Sequence, residues 1–511
     1  NAMSKAKCSK ITYLDNNSTT LQCDASKKVH MQWLECYNPN SDSKIAKPAK
    51  QLIEKSCDAI LHHCGVSDAT HVCIFNSGAS EGNCYIIRAC VKAYKKKLAE
   101  RSSHLKPHVI LSAVEHSCSM ECVKDLLEEG EIDVSYAPVS IYGNVLPEDL
   151  EAIIKPNTCL ISIMAANNEI PIINNITELS TIAHKYRIPF HSDCVQLFGK
   201  IRINVNKHGI DCLTASAHKF YGPKGCGIMV LSKSLIEGYQ LTAQINGHNN
   251  FGYLRAGTEN VPGIAATLTA LQWCFKDREK KNEKLLLLRN TLLEKLSDYF
   301  NFAEYESYVY SDANGIKTTN TTNTTKTSTK EEVVEGGKQK MKNNITDHNK
   351  LDHNKTDHKT SVKQKNTMTT SKELDEEEQI EGAPNKKKKY VKNPDIELVS
   401  LGPPSNAKSF ILMNTILLAV CKNRGKSFCN VKLKQYLDTK NVIVSIGSAC
   451  LTHSPKASYV LDAISAPPVI KRGVIRISFS DSTTMKELDN FVSAFREGID
   501  KQLKEDHNMK I

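Results

Sequence analysis

The sequence predicts an α/β fold with a mostly parallel sheet, joined to a smaller α+β unit near the carboxyl terminus. Short apolar segments alternate with amphipathic helical patterns from residue 11 to about residue 304. A low-complexity stretch follows from about residue 311 to 395, and regular patterning returns over residues 396–505. Strands that alternate with helices favour a parallel sheet covered by helices on both faces.

The strands of the first zone are predicted where apolar residues form short runs. They are Val109–Leu111, Cys159–Met164, Ile188–His191, Cys212–Ala215 and Gly227–Leu231. Between them, the spacing of apolar residues predicts helices at about 117–129, 148–155 and 176–187. Ligands of such sheets bind at the carboxyl ends of the strands, so the polar residues just after each strand are candidate site residues.

The last zone is predicted to form the smaller α+β unit. Ser409–Val420 has the pattern of a strand followed by a helix, Val442–Ser445 and Val474–Phe479 that of strands, and Met485–Leu503 that of a helix. The stretch 311–395, rich in Thr, Asn, Lys, Asp and His, cannot bury enough apolar surface to fold. It is predicted to be a disordered insert in a surface loop, which long insertions enter at modest entropic cost.

Composition excludes several classes of protein. The 511 residues are 40% apolar and 24% charged, which is typical of globular proteins, and no apolar run of about 18 residues predicts a membrane span. The net charge of +11 hints at an acidic partner, but Lys386–Lys389 carries part of it and is interpreted as a solvated charge run rather than a nucleic-acid patch. The 18 cysteines are scattered without zinc-site spacing, which indicates a reducing compartment, free thiols and no metal site. Residues 1–10 are interpreted as a tag and tail, without a targeting segment.

Two strand ends carry residues that could hold an aldehyde cofactor. Lys219 lies in Ala217–Gly225, where a lysine amine could form a Schiff base; a plain surface turn is the alternative. Asp193 lies in Phe190–Gln196, where a carboxylate could pair with the pyridinium nitrogen of a pyridoxal ring; a helix cap is the alternative. Taken singly, neither motif decides between its two interpretations.

Six further motifs follow strands or small-residue turns. Phe75–Asn83 is a small-residue turn before a helical pattern, and backbone N–H groups at such a helix start could cradle a phosphate. The others are Ala113–Ser117, Met164–Glu169, Leu254–Asn260, the Gly/Ser loop Ser445–Cys450 and the arginine-bearing strand Val474–Ser478.

In order and spacing, the eight motifs resemble those of cysteine desulfurases, which are class V aminotransferase-fold enzymes dependent on pyridoxal phosphate. Tyr13–Thr20 is similar to the opening segment of that family, and the resemblance covers nearly everything except 311–395. It implies the aminotransferase fold type I, with a large domain built on a mostly parallel seven-stranded sheet. The large domain is expected over 31–280, and the small domain over 11–30, 281–310 and 396–505.

The resemblance also implies a set of residues that hold pyridoxal phosphate. They are Gly78, Ala79, Ser80, His116, Asp193, Gln196, Ser216, His218, Lys219 and Thr258. Lys219 holds the cofactor through its amine, Asp193 pairs with the pyridine nitrogen, and Gln196 contacts the phenolic oxygen. His116 stacks on the ring. Thr258 reaches the phosphate of the other subunit, so a homodimer is expected.

The chemistry that the resemblance implies is the conversion of L-cysteine to L-alanine. Asn168 and Arg476 bind the substrate carboxylate, for which Arg offers a bidentate clamp. Lys219 moves the α-proton, and His116 acts as an acid or a base. The Cys450 thiolate attacks the substrate sulfur and keeps it as a persulfide. The sulfur then passes to an acceptor, such as an iron–sulfur scaffold or a tRNA-thiolation relay, in the cytoplasm or a mitochondrial-type organelle.

Other functions remain open at the level of the sequence. A selenocysteine lyase uses the same fold, lysine and cysteine, and sequence does not separate the two. A transaminase gives Cys450 no role, and the intact lysine, aspartate, histidine and cysteine disfavour a catalytically silent scaffold. Two departures from the family pattern stand out: Asn246–Phe251 is poorer in glycine, and Ser80 stands where Thr is commoner.

Overall fold

Strands and helices alternate through the residues that this computed structural model describes, which are 11–247, 254–314, 391–403, 410–422, 426–447 and 458–508. The strands are β1 (Thr12–Tyr13), β2 (His71–Asn76), β3 (His108–Ser112), β4 (Asp133–Ala137), β5 (Thr158–Ser162), β6 (Phe190–Asp193), β7 (Cys212–Ser216), β8 (Gly227–Ser232), β9 (Asn301–Ala303), β10 (Ile396–Leu401), β11 (Thr415–Lys422), β12 (Lys426–Ser427), β13 (Val442–Ile443) and β14 (Val474–Ser478). The helices are α1 (Asp24–Gln32), α2 (Lys47–His63), α3 (Ala79–Glu100), α4 (Ser117–Glu128), α5 (Pro147–Ala152), α6 (Ile176–Lys185), α7 (Lys233–Tyr239), α8 (Val261–Phe275), α9 (Arg278–Ser297), α10 (Tyr305–Asn314), α11 (Asn430–Thr439), α12 (Tyr459–Ala463), α13 (Pro468–Gly473) and α14 (Met485–Asn508).

The main sheet has the strand order β2-β8-β7-β6-β5-β3-β4. β8 runs antiparallel to both of its neighbours, and the other pairs are parallel. Every residue of β3, β5, β6, β7 and β8 is buried, as expected of strands covered on both faces. The expected seven-stranded, mostly parallel sheet is confirmed. All five strands predicted for the first zone lie in it, and the three predicted helices correspond to α4, α5 and α6.

A second sheet is built from strands between Asn301 and Ser478. It contains β9, β10, β11 and β12, with β14 paired to β11, and its strand pairs are antiparallel except for β9 with β10. β1 pairs in parallel with β13. Helices α9, α11 and α14 contribute apolar side chains to the core of this part, including Leu288, Leu433 and Phe491. The amino-terminal segment is thereby held against the carboxyl-terminal unit.

The prediction of a strand followed by a helix over Ser409–Val420 is wrong. The strand β11 begins at Thr415, and the described residues 410–414 contain no α-helix. Ile416–Val420 is a continuous apolar run, a pattern that suits a buried strand as well as a buried helix. The pairing of β11 with β10 on one side and β14 on the other favours the strand, because it satisfies the backbone groups along both edges.

Several predictions fall on residues outside those described. These are the tail 1–10, most of the insert 311–395, part of Asn246–Phe251, and Cys450. α10 runs to Asn314, past the expected start of the insert. None of the described helices combines the length and the apolar composition that a membrane crossing requires. The domain boundaries stay a prediction.

Candidate active site

The carboxyl ends of the central strands bring polar residues from distant segments to one edge of the main sheet. β6 ends at Asp193, and its parallel neighbour β7 ends at Ser216. Lys219 follows in the short 3₁₀ turn Ala217–Lys219. Parallel strands end at a shared edge, so these side chains face a common space.

That space is a cavity of about 240 Å³. Its walls come from the amino-terminal segment, the starts of α3 and α4, the residues after β5, β6 and β7, and the strand β14. The lining residues are Asn17, Ser18, Ala79, Ser80, His116, Cys118, Met164, Asn168, Asp193, Val195, Gln196, Ser216, His218, Lys219 and Arg476.

Asp193 is a buried carboxylate of this cavity, with only 4% of its surface exposed. Its Oδ2 accepts a hydrogen bond from Nδ2 of Asn83 at 2.7 Å, and its Oδ1 accepts from the backbone N–H of Val195 at 2.9 Å. Asn83 is itself buried in α3, where its Oδ1 accepts from the hydroxyl of Thr214. All of these partners are neutral. The carboxylate is therefore oriented, while no cation among the described residues pairs with it.

The amine of Lys219 is held by the amino-terminal segment. Its Nζ donates to the backbone oxygens of Asn17 at 2.6 Å and Ser18 at 2.8 Å. The second sheet fixes that segment in turn, because Asn17 donates from Nδ2 to Oγ1 of Thr415 and from its backbone N–H to Oγ of Ser478, both at 2.9 Å. The position of the amine therefore depends on how the second sheet packs.

Arg476 lies in β14 and is 1% exposed. Its Nη2 donates to Oδ1 of Asp15 at 2.7 Å and to Oγ of Ser18 at 2.8 Å, and its Nη1 donates to the backbone oxygen of Asn168 at 2.6 Å. Its buried Nε has no hydrogen-bond partner among the described residues. The guanidinium thus meets the cavity with its charge already balanced by Asp15 and with one donor unused.

His116 sits just before α4 and caps it. Its Nδ1 accepts a hydrogen bond from the backbone N–H of Cys118 at 3.2 Å, and the Cys118 Sγ lies 3.1 Å from the same nitrogen. The preceding residue, Glu115, is buried, and its Oε1 accepts from Oγ of Ser112 at 2.5 Å and from the backbone N–H of Met164 at 2.8 Å. Burial raises the pKa of Glu115 to about 8, so this carboxyl is neutral at physiological pH.

The start of α3 and the turn after β7 form the part of the cavity suited to an anion. The first-turn N–H groups of a helix have no intrahelical acceptors, and here the N–H of Ala79 donates to Oγ of Ser216 at 2.8 Å. Ser80 lines the cavity beside them. Burial and the positive charge of Lys219 lower the pKa of His218 to about 4, so this ring is neutral. A helix start with neighbouring hydroxyls is a ready phosphate site.

Gln196 has a defined amide orientation. Its Nε2 donates to the backbone oxygen of Asn17 at 3.0 Å, and its Oε1 accepts from Nζ of Lys200 at 3.1 Å. Burial, together with the charge of Lys219, lowers the pKa of Lys200 to about 7. The hydrogen bond from the Lys200 amine therefore fixes the orientation of the Gln196 amide, with its oxygen towards Lys200 and its nitrogen towards Asn17.

Comparison with known proteins identifies the family of the chain. The sequence model of the family described as aminotransferase class-V matches residues 12–337. The chain belongs to this family. The cysteine desulfurase IscS of Dictyoglomus turgidum is 37% identical over 259 residues, which are 51% of this chain and 62% of that protein. The mitochondrial cysteine desulfurase of Saccharomyces cerevisiae is 34% identical over 223 residues, which are 44% of this chain and 43% of that protein. The chain thus spans less than two thirds of the length of these two relatives.

Solved structures share the class V fold. A NifS-like protein from Rickettsia africae matches with a TM-score of 0.65 at 23% identity, over 96% of this chain and 100% of that one. Another NifS-like protein matches with a TM-score of 0.67 at the same identity and coverage. At this level of identity the likeness establishes the fold, and it confirms the aminotransferase fold that the sequence predicts.

Most of the site residues that the sequence predicts for a class V protein line the one cavity. They are Ala79, Ser80, His116, Asn168, Asp193, Gln196, Ser216, His218, Lys219 and Arg476. Gly78 immediately precedes α3 but is not among the lining residues. Thr258 is exposed and does not line the cavity of its own chain. Cys450 lies outside the described residues.

The described residues on either side of the segment that carries Cys450 are bonded to the cavity wall. Ser445 exchanges two backbone hydrogen bonds with Arg476, at 2.7 and 3.1 Å. Oγ of Ser458 donates to Oε2 of Glu169 at 2.6 Å. Burial raises the pKa of this carboxyl, which directly follows Asn168 in the chain. Both ends of the segment are therefore anchored beside residues of the site.

Sequence reasoning missed four residues that shape the cavity. Asn17 and Ser18 were part of the opening motif, but nothing in the sequence indicates that their backbone oxygens hold an amine. Cys118 was one scattered cysteine among many. Asn83 is the last residue of the small-residue motif and lies inside α3. A polar residue that is buried in a helix needs a hydrogen-bond partner, and this requirement is the signal that could have identified Asn83.

Proposed function

We propose that the protein is a cysteine desulfurase dependent on pyridoxal phosphate, which converts L-cysteine to L-alanine and holds the removed sulfur as a persulfide on Cys450. The observation that carries the proposal is the meeting of an amine, a carboxylate and a guanidinium in one cavity, contributed by Lys219, Asp193 and Arg476. Relatives of that name over about half of the chain support it.

The cavity fits the cofactor that this function requires. Asp193 is a buried carboxylate whose partners among the described residues are neutral, so a protonated ring nitrogen would supply the charge that is missing. The residues that would hold the group are Gly78, Ala79, Ser80, His116, Asp193, Gln196, Ser216, His218 and Lys219, with Thr258 contributed to the other subunit. When bound, pyridoxal phosphate supplies an electron sink for the negative charge that develops at the substrate α-carbon.

Lys219 holds and moves protons in this scheme. Its amine is kept in place by two backbone oxygens, which can hold it in either protonation state as long as one N–H points at each. Once the amine is neutral, it can take the α-proton of the substrate and return it to the product. This assignment requires that the reaction is lost when Lys219 is replaced by a residue without an amine.

Arg476 and Asn168 orient the substrate. The guanidinium lines the cavity, and its Nη1 donates to one partner among the described residues, the backbone oxygen of Asn168, so one N–H of this nitrogen is left for a carboxylate. A planar guanidinium is suited to binding a carboxylate in two-point contact. The described residues that flank the Cys450 segment, Ser445 and Ser458, are bonded to Arg476 and Glu169 beside this carboxylate site.

Cys450 is the proposed nucleophile. Its thiolate attacks the γ-sulfur of the substrate; the new S–S bond forms as the substrate C–S bond breaks, and the carbon takes up a proton to leave as alanine. Five residues of extended chain span at most about 17 Å, and Ser445 is hydrogen-bonded to the backbone of Arg476 at the cavity wall. The length of chain between Ser445 and Cys450 is therefore compatible with this role.

The same proposal includes a homodimer and a sulfur acceptor. Thr258 is exposed and outside its own cavity, as a residue that serves the site of a second subunit must be. The acceptor is proposed to be a thiol-bearing protein of iron–sulfur cluster assembly or tRNA thiolation. Light scattering of the purified chain tests the dimer, and a monomer that retains full activity would contradict it.

The decisive experiment incubates the purified full chain with pyridoxal phosphate, L-cysteine and a reductant, and measures alanine and sulfide. The wild type is expected to form both in equal amounts. Lys219→Ala should abolish both products. Cys450→Ser should abolish both while keeping the absorbance of the bound cofactor. Cys429→Ser is the matched control, because this thiol precedes α11 and does not line the cavity.

The outcomes separate the alternatives. Normal sulfide release by Cys450→Ser would remove that residue as nucleophile. A wild-type chain that binds cofactor but forms no alanine would indicate a silent scaffold. A selenocysteine lyase would prefer selenocysteine over cysteine in kcat/KM, which a parallel assay of selenide and alanine measures.

A further inference from the structure

The thiol of Cys118 links two groups of the cavity that the proposed function treats separately. Nδ2 of Asn83 lies 3.5 Å from its Sγ and also donates to Oδ2 of Asp193 at 2.7 Å. On its other side, Sγ lies 3.1 Å from Nδ1 of His116. Cys118 itself lines the cavity. A continuous path of hydrogen bonds thus joins the buried carboxylate to the histidine ring.

The directions of these hydrogen bonds follow from what each group can donate. The amide nitrogen of Asn83 has two protons and no lone pair to offer, so the sulfur must accept from it. The thiol has a single proton, and Nδ1 of His116 at 3.1 Å is a nearer acceptor for it than Oγ of Ser119 at 4.0 Å. The backbone N–H of Cys118 also donates to this Nδ1 at 3.2 Å. Both contacts require the lone pair of Nδ1, so the ring proton is on Nε2.

Groups behind Asn83 support the same direction. Its Oδ1 accepts from the hydroxyl of Thr214, whose Oγ1 lies 3.2 Å from Nε2 of His191. Burial lowers the pKa of His191 to about 3, so its ring is neutral and can donate to Thr214 only through an Nε2 proton. Its Nδ1 is then free to accept from Oγ of Ser162 at 2.7 Å. Each donated proton in this buried path therefore has one acceptor.

We propose that Cys118 is a positioning residue, which holds the His116 ring with Nδ1 as a hydrogen-bond acceptor and leaves the N–H at Nε2 for the cavity. The Nε2 of His116 has no hydrogen-bond partner among the described residues, so this N–H is available to a bound group. The catalytic meaning of the inference rests on the proposed function. His116 then meets a bound group as a hydrogen-bond donor through Nε2.

The surroundings of the thiol are consistent with its role as a donor. Burial, with the negative charge of Asp193, raises the pKa of the Cys118 thiol to about 11, so the thiol keeps the proton that it donates.

The test is nitrogen NMR of the full chain with ¹⁵N-labelled histidine and bound pyridoxal phosphate, with His116 assigned by a His116→Gln variant. The wild type is expected to show an unprotonated Nδ1 and a protonated Nε2. Cys118→Ala removes one of the two donors to Nδ1. It should raise the share of the tautomer with its proton on Nδ1 by about 2-fold to 10-fold, the effect of one hydrogen bond.

Two variants serve as controls. Cys118→Ser keeps a donor at this position and should restore the wild-type shifts. Cys122→Ala removes a thiol of the same helix that donates to the backbone of Cys84 instead, and it should leave the ring unchanged. A wild-type proton on Nδ1, or a tautomer ratio in Cys118→Ala identical to that of the wild type, would overturn the inference. If the NMR result holds but no alanine is formed from cysteine, the proposed function fails while the ring assignment stands.

Discussion

Two buried charges of opposite sign meet in this cavity, and their surroundings differ. Asp193, at the end of a strand of the main sheet, is bonded to an amide and a backbone N–H. Arg476, in the second sheet, already forms an ion pair with Asp15 at 2.7 Å. The carboxylate of Asp193 is oriented, but no cation within the described chain compensates its charge. The guanidinium of Arg476 is oriented, and Asp15 compensates its charge.

This difference predicts which of the two charges binds a ligand tightly and which binds a ligand that exchanges. A buried charge without a counter-charge is costly, so a cationic group beside Asp193 gains a large interaction and stays bound. Arg476 gains little interaction energy from a bound anion, because Asp15 already balances its charge. A carboxylate that binds there shares the guanidinium with Asp15. We therefore expect the Asp193 side to hold the cofactor and the Arg476 side to exchange substrate and product.

The largest effect is expected for Asp193→Asn. The amide keeps the shape and can still accept from Asn83, but it removes the charge that a protonated ring nitrogen needs. Alanine formation should fall by about 100-fold or more, with weaker cofactor retention. Initial rates and the absorbance of the bound cofactor after gel filtration measure this. Activity within a few-fold of the wild type would break the contrast between the two charges.

A smaller effect is expected for Arg476→Lys. The single ammonium cannot reproduce the contacts of both terminal nitrogens, so KM for cysteine should rise by about 10-fold to 100-fold while cofactor binding is kept. Asp15→Asn is the paired variant, and it should lower KM because the guanidinium charge is then no longer balanced. Steady-state kinetics check both. A rise in KM for Asp15→Asn would mean that Asp15 positions Arg476 rather than competing with substrate.

The smallest effect on turnover is expected for Glu115→Gln. This variant tests whether Glu115 adds a second negative charge to that of Asp193 on the cofactor side of the cavity. Burial raises the pKa of Glu115 to about 8 in the folded chain, whereas an unfolded glutamate ionises near pH 4.5. As pH rises between these values, the unfolded state loses a proton that the folded state keeps, so the wild type loses stability. The variant should therefore gain stability relative to the wild type by about 1.4 kcal/mol per pH unit in that range.

Urea unfolding at a series of pH values measures this difference. The two chains should differ least near pH 4.5, and the difference should stop growing above about pH 8, where both states are ionised. A constant difference across this range would mean that Glu115 is already charged in the folded protein, and that two carboxylates face the cofactor side.

Much of the site could be predicted because strand ends are visible in a sequence. The apolar runs before Asp193 and Lys219 mark buried strands, and parallel strands that end together bring the residues after them together. The same signal failed over Ser409–Val420, where a continuous apolar run fits a helix and a strand equally well. There the neighbouring strands β10 and β14 decided the outcome.

The partners of the site residues were not predictable in the same way. Asn83 and Asp193 are 110 positions apart, and Lys219 is held by backbone oxygens 201 and 202 positions away. Backbone oxygens are the same in every residue, so no side-chain pattern marks them. Cys118 resembles every other buried thiol until its neighbours are known.

By itself, the sequence determined the alternation of central strands and helices, the polar residues at strand ends and the membership of a family, because these depend on local patterns of residue type. Only the tertiary structure decided which charge is balanced, which carbonyls hold the Lys219 amine and how the His116 proton is directed. Those properties depend on distances between segments that are remote in the chain, and burial makes each such contact energetically decisive.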